Sequence, residues 1–172
     1  PVAGPERRFN AMPAYLGGRF AVCGEKWYGS NVKNPKERGL PRSVLTVTLN
    51  DPDTCEPKAF MSGNLISSMR TGCIPGVGVR YMANKDASVI TVVGVGPIQK
   101  ATMLAMKAEM KNLKKVLAVA AHLERAQGFI KWAEEELGLD GEAMESMEEA
   151  VKLALELIPE GSTVAMGGCM TA

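Results

Sequence analysis

The first 63 residues show short alternations of apolar and polar positions rather than a helical period. The clearest run is Val-Leu-Thr-Val-Thr-Leu at 44–49, whose β-branched composition and period of two predict a strand. The next residues, Asn-Asp-Pro-Asp-Thr at 50–54, are typical of a hairpin turn. Segment 1–63 is therefore predicted to be a small β-rich layer.

The apolar spacing becomes helical from Asn64 to about Ala83. Pro75 lies inside this stretch, together with glycines at 72, 76 and 78. Proline removes a helical hydrogen bond and glycine lowers helix propensity, so the pattern predicts a bent or loosely packed helix.

The period changes again at residue 88, where a β-branched run predicts a strand covered on both faces. A glycine turn, a helix and a second strand follow it. In sequence order these four elements occupy residues 88–93, 94–99, 100–112 and 116–120, and the helix places Met103, Met106 and Met110 on one face. Strand, tight turn, helix and strand form a βαβ unit, which is right-handed in nearly all known proteins. A parallel sheet is therefore expected.

Three more elements are predicted after this unit. A helix fits residues 123–137 and is stopped by Gly138, a second fits 147–157 with Ser146 as its N-cap, and 162–166 is typical of a strand. We therefore predict an α/β fold in which residues 64–172 form an incomplete Rossmann-type parallel sheet. Residues 1–63 form a separate β-rich portion before it.

Basic and acidic side chains nearly balance, with 20 Lys and Arg against 19 Asp and Glu and a formal net charge of +1. Because these charges are interspersed, no broad cationic face is indicated and nucleic acid is not an expected partner. The longest apolar stretches are broken before the ~20 residues that a bilayer span needs, so no membrane segment is expected either.

The four cysteines, at 23, 55, 73 and 169, form no Cys-x-x-Cys pair, and His122 has no metal-ligand spacing to any of them. We expect no metal site and interpret the cysteines as buried, reduced thiols of a cytoplasmic protein. The chain begins Pro-Val-Ala-Gly-Pro, with no methionine and no signal-peptide pattern. We therefore also expect that the start of the protein is missing.

The glycine turn is the first candidate for chemistry. Gly94 lets the chain turn sharply after the strand, and Gly96 lets backbone N–H groups approach a diphosphate at the positive end of the following helix. The usual third glycine is replaced by Gln99. Two glycines also occur in turns that bind nothing, so the spacing alone leaves cofactor binding and simple turning open.

The end of the second predicted strand bears on which nicotinamide cofactor is bound. An acidic residue there accepts hydrogen bonds from the ribose 2′-hydroxyl of NAD, but this strand ends Ala-Ala-His at 120–122. His122 and Arg125 are instead suited to a 2′-phosphate, which favours NADP(H) slightly over NAD(H). The alternative is that both are ordinary solvated positions.

Two basic residues are candidates for binding an anionic substrate. Lys26 lies among apolar and aromatic residues at a predicted strand end, where it can pair with a carboxylate or simply cover Trp27 with its stem. Arg70 lies between apolar residues of the predicted helix, a setting that requires an anionic partner, either a substrate or an internal carboxylate.

Five ordered segments point to one family. They are Phe-Asn-Ala-Met-Pro-Ala-Tyr-Leu-Gly-Gly at 9–18, Gly24-Glu25-Lys26-Trp27, Gly39-Leu40-Pro41, Arg70-Thr71-Gly72 and Gly94-Val95-Gly96. Over roughly residues 9 to 150 the chain resembles the ornithine cyclodeaminase/μ-crystallin family. The resemblance implies an NAD(P)-dependent oxidoreductase that acts on an amino acid or a cyclic imino acid, and a homodimer with residues 1–63 as its substrate and dimerisation portion.

The resemblance also implies roles for individual residues. Lys26 and Arg70 would hold the substrate α-carboxylate, with Arg8 as a further substrate-binding arginine, and Thr71 would contact a cofactor phosphate. The cofactor pyrophosphate would be wrapped by Gly94, Val95, Gly96, Pro97, Ile98 and Gln99. Hydride transfer between the substrate Cα and the nicotinamide is the implied reaction, with an imine intermediate.

Two departures from the family pattern keep other functions open. The family's catalytic acid lies later than any position of this chain, so no catalytic residue is assigned and a non-catalytic nucleotide- or ligand-binding protein is an alternative. Segment 158–172, with its Pro-Glu-Gly turn and Gly-Gly-Cys-Met-Thr run, resembles part of lactate-utilisation (LUD-type) domains. That similarity makes a LUD-type protein a third alternative, and a truncated or fused chain would explain both departures.

Overall fold

The computed structural model describes residue 4, residues 6–157 and residues 166–168. The chain divides into two compact units, Pro1–Ser67 and Ser68–Ala172. Within the described residues, none of the helices has both the length and the apolar character required to cross a membrane.

The first unit is a four-stranded antiparallel sheet with the strands in sequence order. Its elements are β1 (Arg7–Leu16), β2 (Val22–Asn31), the short helix α1 (Asn34–Arg38), β3 (Ser43–Asn50) and β4 (Pro57–Ser62). The predicted strand at 44–49 is β3, and the predicted hairpin turn joins β3 to β4. The β-rich character expected of this part of the chain is therefore confirmed.

Asp51 fixes the turn between β3 and β4. Its Oδ1 accepts hydrogen bonds from the backbone N–H groups of Asp53 (2.9 Å) and Thr54 (3.0 Å), and its carboxylate pairs with Lys58. The Lys58 ammonium and the two N–H donors hold the pKa of Asp51 well below its usual range. The carboxylate therefore stays ionised, and keeps this turn closed, at any pH near neutrality.

Strand register divides the sheet of the first unit into two faces. The inner face carries the buried Leu45, and the chain folds back over it at Gly63 and Asn64. Asn64 bridges to β3 through both ends of its amide, accepting from Leu45 N–H (2.8 Å) and donating to the Ser43 carbonyl (2.9 Å). The outer face exposes aromatic and aliphatic side chains instead, namely Phe9, Tyr15, Trp27, Val44 and Phe60.

The second unit contains a parallel sheet in the order β7-β6-β5-β8. Its strands are β5 (Val89–Val93), β6 (Lys115–Val119), β7 (Asp140–Met144) and β8 (Met166–Gly168), and the helices between them are α3 (Pro97–Glu109), α4 (Leu123–Leu137) and α5 (Met147–Leu157). Helix α2 (Asn64–Met82) begins in the first unit and ends in the second. The α/β fold class with a Rossmann-type parallel sheet is confirmed.

Several local predictions hold in this unit. Gly138 ends α4 in the left-handed conformation (φ 59°), and the Ser146 hydroxyl accepts from Glu149 N–H (3.1 Å) at the start of α5. Met103, Met106 and Met110 lie on one buried side of α3, against a core that includes Val92, Val116 and Phe129.

The expectation of loose packing for α2 is wrong on one side of the helix. Gly72 and Gly76 are buried, and a Cβ added to them would lie 2.6 Å from Ala101 and 2.7 Å from Ala105, respectively. These glycines therefore allow α2 and α3 to approach closely. Pro75 lies between them inside the helix.

Three further findings differ from the sequence predictions. Strand β7 was not predicted, because Asp-Gly-Glu is a poor strand sequence. The expected strand at 162–166 lies outside the described residues except at Met166, where β8 begins. Buried thiols are also wrong for the described cysteines: Cys55 and Cys73 are exposed and Cys23 is half-buried, while Cys169 lies outside the described part.

The glycines of α2 provide a matched stability test. Gly72→Ala places a methyl group against the Ala101 backbone, and we expect it to lower the free energy of unfolding by about 1–3 kcal/mol. Gly78→Ala, in the same helix, meets no atom within 4 Å and should raise stability by up to about 1 kcal/mol through helix propensity. Urea denaturation of both variants measures the difference. Equal midpoints for the two would contradict the close approach of α2 to α3.

Candidate functional site

The glycine turn lies at the carboxyl end of β5. Gly94 has φ +85°, a left-handed conformation that favours glycine, and its N–H donates to the Val119 carbonyl at the end of β6 (2.8 Å). Gly96 is the N-cap of α3, and Pro97 opens the helix. The turn thus directs the start of α3 to the sheet edge where parallel strands end, the usual ligand position in open α/β sheets.

Gly96 is not required by the protein's own conformation or packing. Its φ of −78° and ψ of −179° are extended values that any residue adopts, and a Cβ added there meets no atom within 4 Å. Among the described residues, the space around the Gly96 Cβ position is therefore open, unlike the space at Gly72 or Gly76. Because glycine has no side chain, a ligand can approach the backbone closely at this point. The N–H groups in the first turn of the following helix have no partner within the helix and can bind such a ligand.

Gln99 differs from the glycine expected at its position. Its side chain is only 8% exposed, and its Nε2 finds no hydrogen-bond partner among the described residues. Gln99 is thus buried, whereas an added Cβ at Gly94 or Gly96 meets no described atom within 4 Å, and these two glycines are the open positions of the turn.

The end of β6 supplies the other predicted cofactor residues. His122 is the N-cap of α4 in an extended conformation, it is exposed, and its side chain makes no capping hydrogen bond. Arg125 follows in the first turn of α4 and is also exposed. Because β5 and β6 are paired in parallel, these two residues follow the same sheet edge as the glycine turn.

Arg70 and Thr71 lie on α2, in the second unit. Thr71 is half-buried and precedes Gly72, which packs against Ala101 in the first half of α3. Arg70 is exposed, so the premise that apolar neighbours enclose it is wrong. A solvated arginine needs no internal partner, and it stays available to an anion from solution.

Lys26 lies in the middle of β2 rather than at the strand end that we expected. Its side chain is on the inner face, where Nζ donates to Ser67 Oγ (3.4 Å). Arg8 lies on the same face, opposite Ser30 in the β1–β2 register. The structure therefore brings two of the three predicted substrate-binding residues to one side of one sheet.

Tyr28, which the sequence interpretation did not select, lies between them on that face. Its hydroxyl is 2.9 Å from Ser43 Oγ, and Arg8 Nη2 donates to it at 3.5 Å. Burial acts to raise the pKa of Tyr28, but hydrogen bonds from Ser30, Ser43 and Arg8 and the Arg8 charge outweigh it and lower the pKa to about 8. The alternation of positions 26, 28 and 30 on a strand was the sequence signal for this cluster.

A depression of about 560 Å³ opens on the outer face of the first unit. It is lined by Pro13, Ala14, Tyr15, Cys23, Gly24, Glu25, Thr48 and Asn50. None of the predicted substrate or cofactor residues lines it, and it is wide open to solvent. We therefore place the candidate chemistry on the inner face and at the glycine turn, not in this depression.

A family comparison accounts for these features together. The family model described as "Ornithine cyclodeaminase/mu-crystallin family" matches residues 2–159. The chain belongs to the ornithine cyclodeaminase/mu-crystallin family. All predicted substrate-binding and cofactor-binding residues lie within the matched range, whereas residues 160–172 lie beyond it. Apart from β8, the segment that resembles LUD-type domains is outside the described residues, and that similarity stays a prediction.

Several curated relatives are named as dehydrogenases or reductases of amino or imino acids. The chain is 32% identical over 145 residues to N-((2S)-2-amino-2-carboxyethyl)-L-glutamate dehydrogenase of Staphylococcus aureus, covering 84% of this chain and 43% of that protein. It is 33% identical over 125 residues to alanine dehydrogenase of Archaeoglobus fulgidus, covering 73% and 37%. The chain thus spans less than half the length of these curated relatives.

The chain is also similar to solved structures of an amino-acid dehydrogenase and an imino-acid reductase. An archaeal alanine dehydrogenase dimer with bound NAD superposes with a TM-score of 0.75 at 28% identity, covering 86% of this chain and 44% of that one. The Δ1-pyrroline-2-carboxylate reductase of Thermococcus litoralis, in complex with NADH and L-proline, has a TM-score of 0.71 at 25% identity, covering 84% and 49%.

Gly96 can be tested separately from the fold. Because an added Cβ meets no atom of the described residues within 4 Å, Gly96→Ala should leave the melting temperature unchanged, yet weaken NADH binding about tenfold or more if a diphosphate passes the turn. Gly128→Ala on the exposed side of α4, where a Cβ also meets nothing, is the matched control. Thermal melts and NADH fluorescence titrations measure the two effects. Unchanged NADH affinity in Gly96→Ala would exclude the turn as the cofactor site.

Proposed function

We propose that this chain forms the cofactor-binding and substrate-binding portion of an NAD(P)-dependent oxidoreductase that acts on an amino acid or a cyclic imino acid. The observation that carries the proposal is Gly96, a glycine that neither backbone conformation nor packing requires, at the N-terminus of a helix that follows a parallel strand. The bound cofactor in related structures supports it, since those neighbours are described with NAD or NADH.

The residues of this chain have distinct tasks in the proposed function. The backbone from Gly94 to Gln99 holds the cofactor diphosphate at the start of α3, and Thr71 contacts a phosphate. Lys26 and Arg8 on the inner face, and Arg70 on α2, neutralise and orient the substrate carboxylate. When bound, the nicotinamide supplies the hydride chemistry at the substrate Cα.

The substrate class follows from what the relatives' names have in common. Alanine, Δ1-pyrroline-2-carboxylate and the substituted glutamate each carry an amino or imino nitrogen on a carbon that bears a carboxylate. A cluster of basic side chains matches the carboxylate, which all of these molecules share. It does not distinguish their remaining parts, so the proposal stops at the class.

We further propose a preference for NADP(H). No carboxylate follows β6 at 120–122, so the ribose 2′-hydroxyl of NAD(H) lacks its usual acceptor. Exposed His122 and Arg125 at the same sheet edge favour a 2′-phosphate. Two neighbouring structures contain NAD and therefore favour a preference for NAD(H). A comparison of the affinities for NADH and NADPH distinguishes the two preferences.

The proposed function is tested by titrating the chain with NADH and NADPH, followed by assays with a panel of L-amino acids and imino acids. We expect both cofactors to bind, NADPH more tightly, and Arg125→Ala to remove the difference. Cofactor binding without turnover would support the binding role of this portion and refute catalysis by it alone. Failure of both cofactors to bind would exclude either function, and tighter binding of NADH would refute the preference for NADP(H).

We also propose that the chain forms a homodimer through the outer face of the first unit. Phe9 and Trp27 stack on that face with ring centroids 5.9 Å apart, and Tyr15 and Phe60 are 65% and 75% exposed. Aromatic patches of this kind are typical of interfaces, and one copy of a face can cover another through a two-fold axis. The dimeric alanine dehydrogenase neighbour supports the same assembly.

Phe60→Glu tests this assembly, because it puts a charge into the proposed apolar contact. We expect the wild-type chain to sediment as a dimer and Phe60→Glu as a folded monomer, with near-native circular dichroism. Leu40→Glu, an exposed leucine in the loop after α1, is the control and should stay dimeric. A monomeric wild type, or a dimeric Phe60→Glu variant, would contradict the proposal.

A further inference from the structure

The inner face of the first unit carries a row of polar side chains that the substrate assignment only partly uses. Arg8 on β1 lies opposite Ser30, and Lys26 on β2 lies four positions before Ser30 on the same face. Tyr28 occupies the position midway between Lys26 and Ser30. The Tyr28 phenol therefore lies between Arg8 and Lys26, the two cations that are proposed to bind the substrate carboxylate.

Tyr28 makes two kinds of contact with Arg8. Its hydroxyl accepts from Arg8 Nη2 at 3.5 Å, and the Arg8 guanidinium carbon lies 5.2 Å from the centre of its ring. An arginine on the edge strand β1 would otherwise move freely in solvent. Ring and hydroxyl together hold its guanidinium beside Tyr28, which lies two positions from Lys26 on β2.

Tyr28 is itself held in place by its other neighbours. Its hydroxyl lies 2.9 Å from Ser43 Oγ on β3, and the Ser43 carbonyl is bonded in turn by the Asn64 amide (2.9 Å). Lys26 is fixed to Ser67 at 3.4 Å. The phenol is thus anchored to Ser43 of β3, and the ammonium is anchored to Ser67, in the segment that follows β4.

We propose that Tyr28 is a positioning residue of the substrate site, which holds the Arg8 guanidinium so that Arg8 and Lys26 address the same carboxylate. This inference rests on the proposed function, because it assumes that these two cations bind substrate. In this role Tyr28 favours carboxylate binding because it orients Arg8. Its own charge takes no part.

A pH dependence follows from the surroundings of the phenol. The charged groups facing it are Arg8 from β1 and Lys26 from β2, whereas β3 and the start of α2 present the neutral Ser43 and Asn64. With a pKa of about 8, Tyr28 becomes a phenolate above that pH and then competes with the substrate carboxylate for Arg8. Carboxylate binding should therefore weaken as pH rises through 8.

The chain contains three tyrosines, so each can be followed separately by NMR after labelling with [13Cζ]tyrosine. Tyr28→Phe keeps the ring and removes the hydroxyl, and Tyr28→Leu removes both. Tyr15→Phe, on the outer face of the same sheet, is the matched control. L-proline is the probe, and pyrrolidine, which lacks the carboxylate, is the control ligand.

We expect Tyr28 to titrate near pH 8, Arg8→Gln to move that midpoint toward 10, and L-proline, but not pyrrolidine, to raise it. At pH 7, L-proline should bind about fivefold more weakly to Tyr28→Phe and more weakly still to Tyr28→Leu, as expected for loss of the hydrogen bond between the hydroxyl and Arg8 and then of the ring. Between pH 7 and 9.5 the wild type should lose affinity, whereas Tyr28→Phe should not.

Two results would overturn this role. One is a Tyr28 midpoint that L-proline leaves unchanged. The other is a Tyr28→Phe variant that binds L-proline as the wild type does with the same pH profile. NADH affinity, which depends on the second unit, should be equal in all these variants. A chain that binds no NADH refutes the proposed function, whereas normal NADH binding with an indifferent Tyr28 refutes this inference alone.

Discussion

The parallel pairing of β5 with β6 is the constraint on which the candidate cofactor site depends. The register sets Val93 opposite Val119, so both strands end at the same level and their following turns open onto one edge. The hydrogen bond from Gly94 N–H to the Val119 carbonyl closes this pair at the turn itself (2.8 Å). A shift of one residue in either strand would move the start of α3 by about 3.3 Å relative to His122 and Arg125.

Glycine has two unrelated uses in this chain, and the structure separates them. At Gly72 and Gly76 the missing side chain is replaced by atoms of Ala101 and Ala105, so the residue serves helix packing. At Gly96 no atom of the part of the chain that the structure describes takes the vacated space. The sequence alone does not distinguish a glycine that serves helix packing from one that leaves space for a ligand. That distinction requires the coordinates.

The sequence predicted the elements whose signals are local. The β-branched run at 89–93, the methionine face of α3 and the stop of α4 at Gly138 all depend on residues within a few positions of each other. Strand β7 was missed because the pairing with β6, and not the propensity of Asp140 to Met144, makes it a strand. The inner-face cluster was missed for the same reason. Arg8, Tyr28 and Ser43 are distant in sequence, and only the antiparallel register brings them together.

The two sheets also differ in how much of the chain must exist before they can close. Each strand of the first unit pairs with the next one in sequence, so hairpins can form one after another as the chain leaves the ribosome. In the second unit Thr91 pairs with Met166, 75 positions later. Until β8 is synthesised, β5 is an edge strand of the described sheet and has β6 on one side only. One edge of β5 therefore stays unpaired through the synthesis of three helices, during which a nascent chain is open to pairing with a strand of another molecule.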